Sequence, residues 1–328
     1  MRRGGFAIIL ALLAIAAVIR VLTGPAAEGD AIRMSFGVPA SDIFKLRADA
    51  VLGASLVGAA LGLAGLALQV LLRNPLAEPF VLGVSGGAGF GVSVVLVVAY
   101  LFAIPAGDFG GEAGGAVIGA GLTLGLVLWI GRSSDGHDPT RLVLAGVIVG
   151  AIFASATMLL QQMVPHGLRG DLLSWMAGRL PEMPRSGSLA VLSTAVAGGG
   201  AFLLIRARAL DVACLSEDEA RTSGLDVLAL RRELFLVGGV LAAMAVAYAG
   251  PIGFVGLIAP HAARRLAGAT HRALVPASAA AGATLLVAAD CVRQFIDVGT
   301  GRLAIGVVTA LAGGPAFLWL LRRARWNA

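Results

Sequence analysis

Long apolar runs follow one another along the whole chain and constrain its fold more than any other feature. A helix needs about 20 apolar residues to cross a hydrocarbon core of about 30 Å. Ten runs qualify: 6–23, 48–72, 80–104, 114–131, 141–163, 187–207, 232–249, 251–267, 273–296 and 303–322. The eighth is the weakest, because Pro260 and His261 interrupt it. The pattern predicts an all-α polytopic membrane protein with about ten transmembrane helices in a single domain, residues 1–328.

Composition supports a membrane bundle. Charged residues make up 13% of the chain, against about 25% in a typical soluble domain. The 46 glycines would let neighbouring helices approach closely. Barrel strands alternate polar and apolar residues in short segments, whereas these runs are continuous, so a β-barrel is not expected.

The basic residues predict the orientation in the membrane. With the N-terminus inside, sixteen of the 25 Lys and Arg residues lie on the inner side and nine on the outer side, in agreement with the positive-inside rule. Both termini are then cytoplasmic. The first run also has the form of a signal peptide, but a retained helix fits better because the spans that follow need an orientation. The net charge of +6 then reflects topology, and nucleic-acid binding is not expected.

The segment RNPLAEPFVLGVSGGAGFG, residues 73–91, separates the second and third runs. Proline restricts the residue before it, so Asn74–Pro75 and Glu78–Pro79 should end one helix and delay the next. Irregular backbone at membrane depth is tolerated only where surrounding protein or a water-filled cavity provides hydrogen-bond partners for its N–H and C=O groups. The segment therefore indicates close backbone packing beside a pathway. Its glycines do not fit G-x-G-x-x-G, so no dinucleotide site is expected.

Several kinds of chemistry find no support in the sequence. The only lysine, Lys45, follows Phe44, so the chain has no G-x-x-x-x-G-K-[ST] phosphate loop. An ion-driven carrier is expected to use intramembrane carboxylates, yet Asp49 and Asp290 are nearly the only candidates. A lone aspartate such as Asp290 is more often a hydrogen-bonded structural group. Neither catalytic residues nor metal or cofactor ligands are predicted, and the two cysteines show no ligand spacing.

The longest polar inner segment lies at about 208–231. Ser216 followed by Glu219 has the pattern of a capping box, and Gly224 is a plausible C-terminal stop. We therefore expect a short helix at about 217–223. It is either a solvated connector or a docking helix for a soluble partner.

Three long stretches closely resemble the permease family that imports iron-siderophores, haem and cobalamin, the membrane subunits of type II ABC importers. They are VGAALGLAGLALQVLLRNPLAEPFVLGVSGGAG at 57–89, GPIGFVGLIAPHAARRLAGATHRALVPASAAAGATLLVAAD at 250–290 and IGVVTALAGGPAFLWLL at 305–321. The resemblance covers essentially the whole chain. It implies two permease copies, identical or paralogous, two cytoplasmic ATPase subunits that bind ATP and Mg²⁺, and an external binding protein. The location is then the cytoplasmic membrane of a bacterium or archaeon.

The resemblance also implies roles for individual residues. Asn74 and Leu76 match the loop that narrows the inner end of the pathway, and Thr140 matches a second constriction. Residues 216–224 match the coupling helix that fits the ATPase, where Glu219, Ala220, Arg221 and Gly224 hold the recognisable positions. His261 and Arg264 match a Pro-His-x-x-Arg pattern that supports the ATPase-facing surface.

The outer face departs from the family pattern. Members often carry Leu-Arg-Leu-Pro-Arg before the second helix, whose arginines pair with glutamates of the binding protein. Arg47 keeps the first arginine, but Asp49 and Ala50 replace the Pro-Arg. Arg293 stands one place early, and Arg302 takes the place of a glutamate. These three arginines are the candidates for docking the binding protein, with their pairing geometry left open.

The sequence therefore favours an ATP-driven permease subunit for a metal chelate. A ferric siderophore is expected first and cobalamin or haem next. A secondary carrier is the alternative from another class, and a membrane-embedded enzyme comes third.

Overall fold

The computed structural model describes residues 3–28, 31–103, 111–133, 136–181, 185–296 and 303–323. In this part of the chain there are thirteen α-helices, one 3-10 helix and two short β-hairpins. The helices are α1 Arg3–Leu22, α2 Ser41–Leu71, α3 Val84–Phe102, α4 Gly111–Ile130, α5 Pro139–Gln161, α6 His166–Met176, α7 Ser186–Ile205, α8 Ala207–Ala213, α9 Glu217–Thr222, α10 Val227–Ala249, α11 Val255–Ala267, α12 His271–Gln294 and α13 Ile305–Arg323. The 3-10 helix is Pro79–Leu82, and the strands are β1 Thr23–Glu28, β2 Ala31–Phe36, β3 Arg132–Ser133 and β4 Gly136–His137.

Each of the ten apolar runs coincides with a helix, but ten membrane crossings are not confirmed. Seven described helices are long and apolar enough to cross a membrane: α1, α2, α3, α4, α5, α7 and α12. Helix α11 has only 13 residues, about 20 Å at 1.5 Å per residue, which is less than the hydrocarbon thickness. The apolar run at 251–267 is longer than α11, because residues 251–254 precede the helix and are not helical.

Helix α2, with 31 residues, forms the centre of the bundle and is buried over most of its length. It packs against α10, α11 and α12. A Cβ placed on Gly58 would lie 2.2 Å from the carbonyl oxygen of Gly282 in α12, and one on Gly65 would lie 1.8 Å from that of Gly256 in α11. Larger side chains would push these backbones apart, which explains the glycines along α2.

The outer helices leave large apolar side chains uncovered. Ile15 of α1 is 56% exposed, Ile152 of α5 is 60% exposed and Val191 of α7 is 59% exposed. Extended apolar surface of this kind is typical of contact with membrane or partner. The described surface therefore agrees with a protein embedded in lipid.

The helices define two ends of the bundle. At the α9 end, α1 begins against α11, because a Cβ on Gly5 would lie 1.8 Å from the carbonyl oxygen of Leu266. At the opposite end, called here the β1 end, Arg20 of α1 bonds to Asp290 of α12, and Arg47 of α2 donates to the carbonyl oxygen of Val21 over 2.9 Å. Helices α1 and α12 therefore run in the same direction, and α2 runs against them.

Candidate functional site

Residues 72–83, called here the proline loop, reverse the chain at the α9 end of α2. Arg73 has a φ of +47°, a left-handed conformation that is uncommon for a residue with a side chain. The Asn74 amide N–H donates to the carbonyl oxygen of Gln69 over 3.1 Å. The Asn74 side-chain oxygen accepts the N–H of Leu76 over 2.9 Å, as in an Asx-turn. Asn74 is exposed at the tip and Leu76 is half-buried.

The proline loop then re-enters the bundle. A Cβ on Gly256 would lie 2.6 Å from Cδ of Pro79 and 3.0 Å from the carbonyl oxygen of Leu61. Leu61 lies ten residues before the last residue of α2, Leu71, which corresponds to about 15 Å of helix. At Pro79 the loop therefore lies about 15 Å inside the bundle, measured from the end of α2. The two prolines do delay the next helix, as predicted, because α3 begins only at Val84.

The glycines that follow the loop allow backbone-to-backbone packing. A Cβ on Gly83 would lie 2.3 Å from the carbonyl oxygen of Gly146 in α5, and one on Gly91 would lie 1.9 Å from that of Gly115 in α4. The predicted close packing of this segment is confirmed. The loop is thereby fixed against α5, the helix whose first turn contains Thr140. Thr140 is exposed, and its N–H donates to Asp138 over 2.8 Å.

Helix α9 is capped at both ends, as predicted. The Ser216 hydroxyl accepts the N–H of Glu219 over 3.3 Å, and the Glu219 carboxylate accepts the N–H of Ser216 over 3.0 Å. The Ser216 hydroxyl also donates to the Glu219 carboxylate over 2.7 Å. This bond and the one from the Ser216 N–H hold the pKa of Glu219 below its usual value. Gly224 follows with a φ of +80°, and Ala220 is fully buried. The cap is local chemistry, so the sequence alone was enough to predict it.

Glu217 fixes α9 on α10. Its carboxylate lies 2.7 Å from the Arg221 guanidinium and 2.9 Å from that of Arg231. The hydrogen bond from Arg231 is the main reason that the pKa of Glu217 is lowered. Glu219 and Arg221 remain exposed, so one face of α9 is anchored while the other presents charges outward.

Asp211 of α8 joins this segment to the start of α12. One of its carboxylate oxygens accepts the backbone N–H of His271 over 2.9 Å and lies 2.7 Å from the ring Nδ1. His271 is buried, at 3% exposure. Sequence reasoning missed this pair, because the two residues are 60 positions apart and neither belongs to a local motif.

His261 and Arg264 lie on α11 and face the bundle. Both are half-buried, and the Arg264 guanidinium lies 3.4 Å from the side-chain oxygen of Gln69 in α2. The amide nitrogen of Gln69 also donates to the carbonyl oxygen of Leu257 over 3.4 Å. Arg264 therefore packs α11 against α2, which agrees with the structural part of its predicted role.

The predicted docking arginines of the β1 end are not displayed on the surface. Arg47 is 5% exposed and Arg293 is 4% exposed, with Arg293 bonded to Asp290. Asp290 is 1% exposed and also bonds to Arg20, so the prediction that it is a hydrogen-bonded structural group is confirmed. Arg302 lies outside the described residues. Both guanidinium groups are buried within the bundle, and the docking role stays a prediction.

Comparison with known proteins gives a consistent result. The model of the FecCD transport family matches residues 6–323. The cobalamin import system permease protein of Halobacterium salinarum is 36% identical over 293 residues, covering 88% of this chain and 76% of the relative. The hemin transport system permease protein of Yersinia pestis is 34% identical over 280 residues, covering 85% and 83%. A solved structure of an inward-facing metal-chelate type ABC transporter matches with a TM-score of 0.83 and 30% identity, covering 97% of this chain and 98% of that one.

Proposed function

The chain belongs to the FecCD transport family and is a permease subunit of an ATP-binding cassette importer, and we propose that it carries a metal chelate from an external binding protein to the cytoplasm. It is a multi-pass membrane protein with the type II importer fold, and ATP is hydrolysed by partner subunits rather than by this chain. In our proposal ATP and Mg²⁺ are held on those partners, and this chain binds no cofactor.

The observation that carries the proposal is helix α9. Its ends are capped, the side chain of its Ala220 is buried, and Glu219 and Arg221 face outward. A six-residue helix that is anchored on one side and charged on the other can enter a cleft of a soluble protein as a rigid unit. We assign it as the coupling helix, with Gly224 ending it and with His261 and Arg264 supporting the same surface.

We propose that the proline loop closes the pathway at the α9 end. Asn74 and Leu76 lie at its tip, and Thr140 begins the helix against which the loop packs. Transport then proceeds by alternating access, in which ATP-bound partners move the coupling helices and thereby the loop. This step requires a second permease copy, identical or paralogous, across the pathway.

The α9 end then faces the cytoplasm, as the excess of basic residues on that side supports. Both termini are cytoplasmic, and the membrane is the cytoplasmic membrane of a bacterium or archaeon. The β1 end faces the binding protein. There, Arg302 is the remaining candidate for direct docking, while Arg47 and Arg293 would act by holding the outer ends of α2 and α12 in place.

The cargo is a metal chelate in this proposal. Sequence reasoning put a ferric siderophore first, whereas the relatives described above are named for cobalamin and hemin. A secondary carrier is not supported, because Asp290 is bonded to two arginines and the Glu78 carboxylate accepts the backbone N–H of Phe254.

The test is uptake into liposomes that contain the permease, its partner ATPase and the binding protein. Cyanocobalamin, haemin and ferrichrome serve as separate probes, each with ATP and with a non-hydrolysable analogue. We expect one probe to accumulate only with ATP and with both partners present. Accumulation driven by a proton or sodium gradient in the absence of the ATPase would instead establish a secondary carrier.

A further inference from the structure

Helix α11 contacts the proline loop directly at its beginning and, at its end, contacts the residue of α2 to which the loop is bonded. At the beginning of the helix, the backbone N–H of Phe254 donates to the Glu78 carboxylate. In its last turn, Arg264 lies 3.4 Å from the side chain of Gln69, and the carbonyl oxygen of Gln69 accepts the N–H of Asn74. Helix α11 therefore contacts the re-entrant end of the loop through Phe254. At the other end of the loop it acts through Gln69 of α2.

The contact at Glu78 is closely packed. Phe254 has a φ of +69°, a left-handed conformation that is unfavourable for a residue with a side chain. A Cβ on Gly313 of α13 would lie 2.5 Å from Cβ of Phe254, and one on Gly256 would lie 2.6 Å from Cδ of Pro79. The surrounding packing holds Phe254 in this conformation. Glu78 supplies a partner for a backbone N–H that would otherwise be unpaired at membrane depth.

The other end of α11 lies beside the α8–α9 segment. Helix α8 packs against α12, the helix that follows α11. Only residues 268–270 separate α11 from α12, and α12 begins with the pair between His271 and Asp211 of α8. A movement of α9 would therefore reach α11 at the end that carries Arg264.

We propose that α11 is the rigid link that transmits movement of the coupling helix to the proline loop, and that Glu78 and Gln69 are the positioning residues that attach the loop to it. This inference rests on the proposed function, because the loop is assigned there as the inner closure. At 13 residues, α11 is about 20 Å long, which is enough to span the roughly 15 Å over which the loop returns into the bundle.

Labelling of a single cysteine tests the link. Asn74→Cys is made in a protein that also carries Cys214→Ser and Cys291→Ser, since both native cysteines are free thiols. The permease–ATPase complex is treated with a membrane-impermeant maleimide, with and without ATP and vanadate. We expect ATP to change the labelling rate at least about threefold, because the loop moves with α11.

Two substitutions of Glu78 separate attachment from packing. Glu78→Leu removes the acceptor and should abolish the effect of ATP on labelling, while the complex still assembles. Glu78→Gln keeps an acceptor oxygen and should retain the effect. Glu112→Leu is the matched control, because Glu112 makes no hydrogen bond or ion pair among the described residues, and it should behave like the parent protein.

Gln69→Leu tests the second attachment and should also remove the ATP effect. Retention of the effect in both leucine variants would overturn the link while leaving the gate assignment intact. Absence of any ATP effect in the parent protein would overturn the gate assignment and the link together. Uptake in the liposome assay reports on the importer function separately.

Hydrogen exchange on the unaltered complex covers the case in which a variant does not fold. ATP and vanadate should change the exchange of peptides covering 73–83 and 250–258 together, because the Phe254 N–H is bonded to the loop. A change in the loop peptides with constant exchange at 250–258 would overturn the proposal without any substitution.

Discussion

The two ends of the bundle treat charge in opposite ways. At the β1 end, Arg20, Asp290 and Arg293 are 5%, 1% and 4% exposed, and both arginines bond to Asp290. At the α9 end, Glu219 and Arg221 are exposed. A count of basic residues predicts the orientation of the chain, but it does not show which charges can reach a partner. That depends on burial: the three charged residues of the β1 end are buried, whereas Glu219 and Arg221 of the α9 end are accessible to a partner.

The difference has an energetic consequence. Taking charges out of water is costly, so a buried cluster is stable only while each member keeps its partner, and removing one leaves uncompensated charge. Exposed pairs contribute about 0–1 kcal/mol each and weaken with salt. The β1-end cluster should therefore matter for stability, and the α9-end charges should matter for interaction.

The largest effect is expected for Asp290→Ala. The substitution leaves Arg20 and Arg293 buried without their carboxylate, and we expect the free energy of unfolding to fall by about 3–5 kcal/mol. Thermal unfolding of the purified protein in detergent measures this. Asp42→Ala is the control, because Asp42 is exposed and, within the described part of the chain, is bonded only to Ser41, over 3.5 Å. Equal unfolding temperatures for the two variants would remove the distinction between the ends.

A smaller effect is expected for Asp211→Ala, at the junction of α8 and α12. The variant loses the hydrogen bond to the His271 N–H and the contact with its ring. We expect a loss of about 1–2 kcal/mol, because the buried His271 groups are left without partners. Asp211→Asn keeps an acceptor for the N–H and should recover part of that loss. If both variants unfold like the parent protein, Asp211 does not hold the two helices together.

Helix α9 should show the reverse pattern, with little change in stability and a large change in transport. Glu219→Ala with Arg221→Ala should leave the thermal unfolding of the protein nearly unchanged, because both side chains are exposed, and should strongly reduce ATP-driven uptake. Asp218→Ala, on the same helix, is the control and should transport normally. Normal uptake in the double variant, at equal expression, would contradict the docking assignment.

How far the sequence predicted the molecule depends on how local each feature is. The apolar runs, the two prolines after α2 and the capping box at Ser216 involve neighbouring residues, and the corresponding helices appear where they were expected. Helix α6 was not predicted, since its sequence has no long apolar run.

Features that join distant parts of the chain were missed. The bond between Glu78 and Phe254 connects residues 176 positions apart, and no single stretch of sequence indicates it. The burial of Arg47 and Arg293 was not foreseen either, because an arginine near a helix end has the same sequence signature whether it faces water or another helix.

The smallest effect concerns Glu217, whose ion pairs are the nearest α9-end counterpart of the Asp290 cluster. Its pKa is lowered, mainly by the Arg231 hydrogen bond, from an ordinary value of 4.5. Its contribution to stability is therefore present above about pH 4.5 and is lost as the pH falls through the lowered pKa. Because the Glu217 side chain is 37% exposed, solvent screening should hold that contribution to about 0.5 kcal/mol. Glu217→Gln should lower unfolding stability by that amount at pH 7 in low salt and by nothing measurable at pH 3 or in 1 M salt, with Asp218→Asn as the control. A loss that persists in 1 M salt would mean that Glu217 is effectively buried, and that the α9 end resembles the β1 end more than the exposures of its side chains indicate.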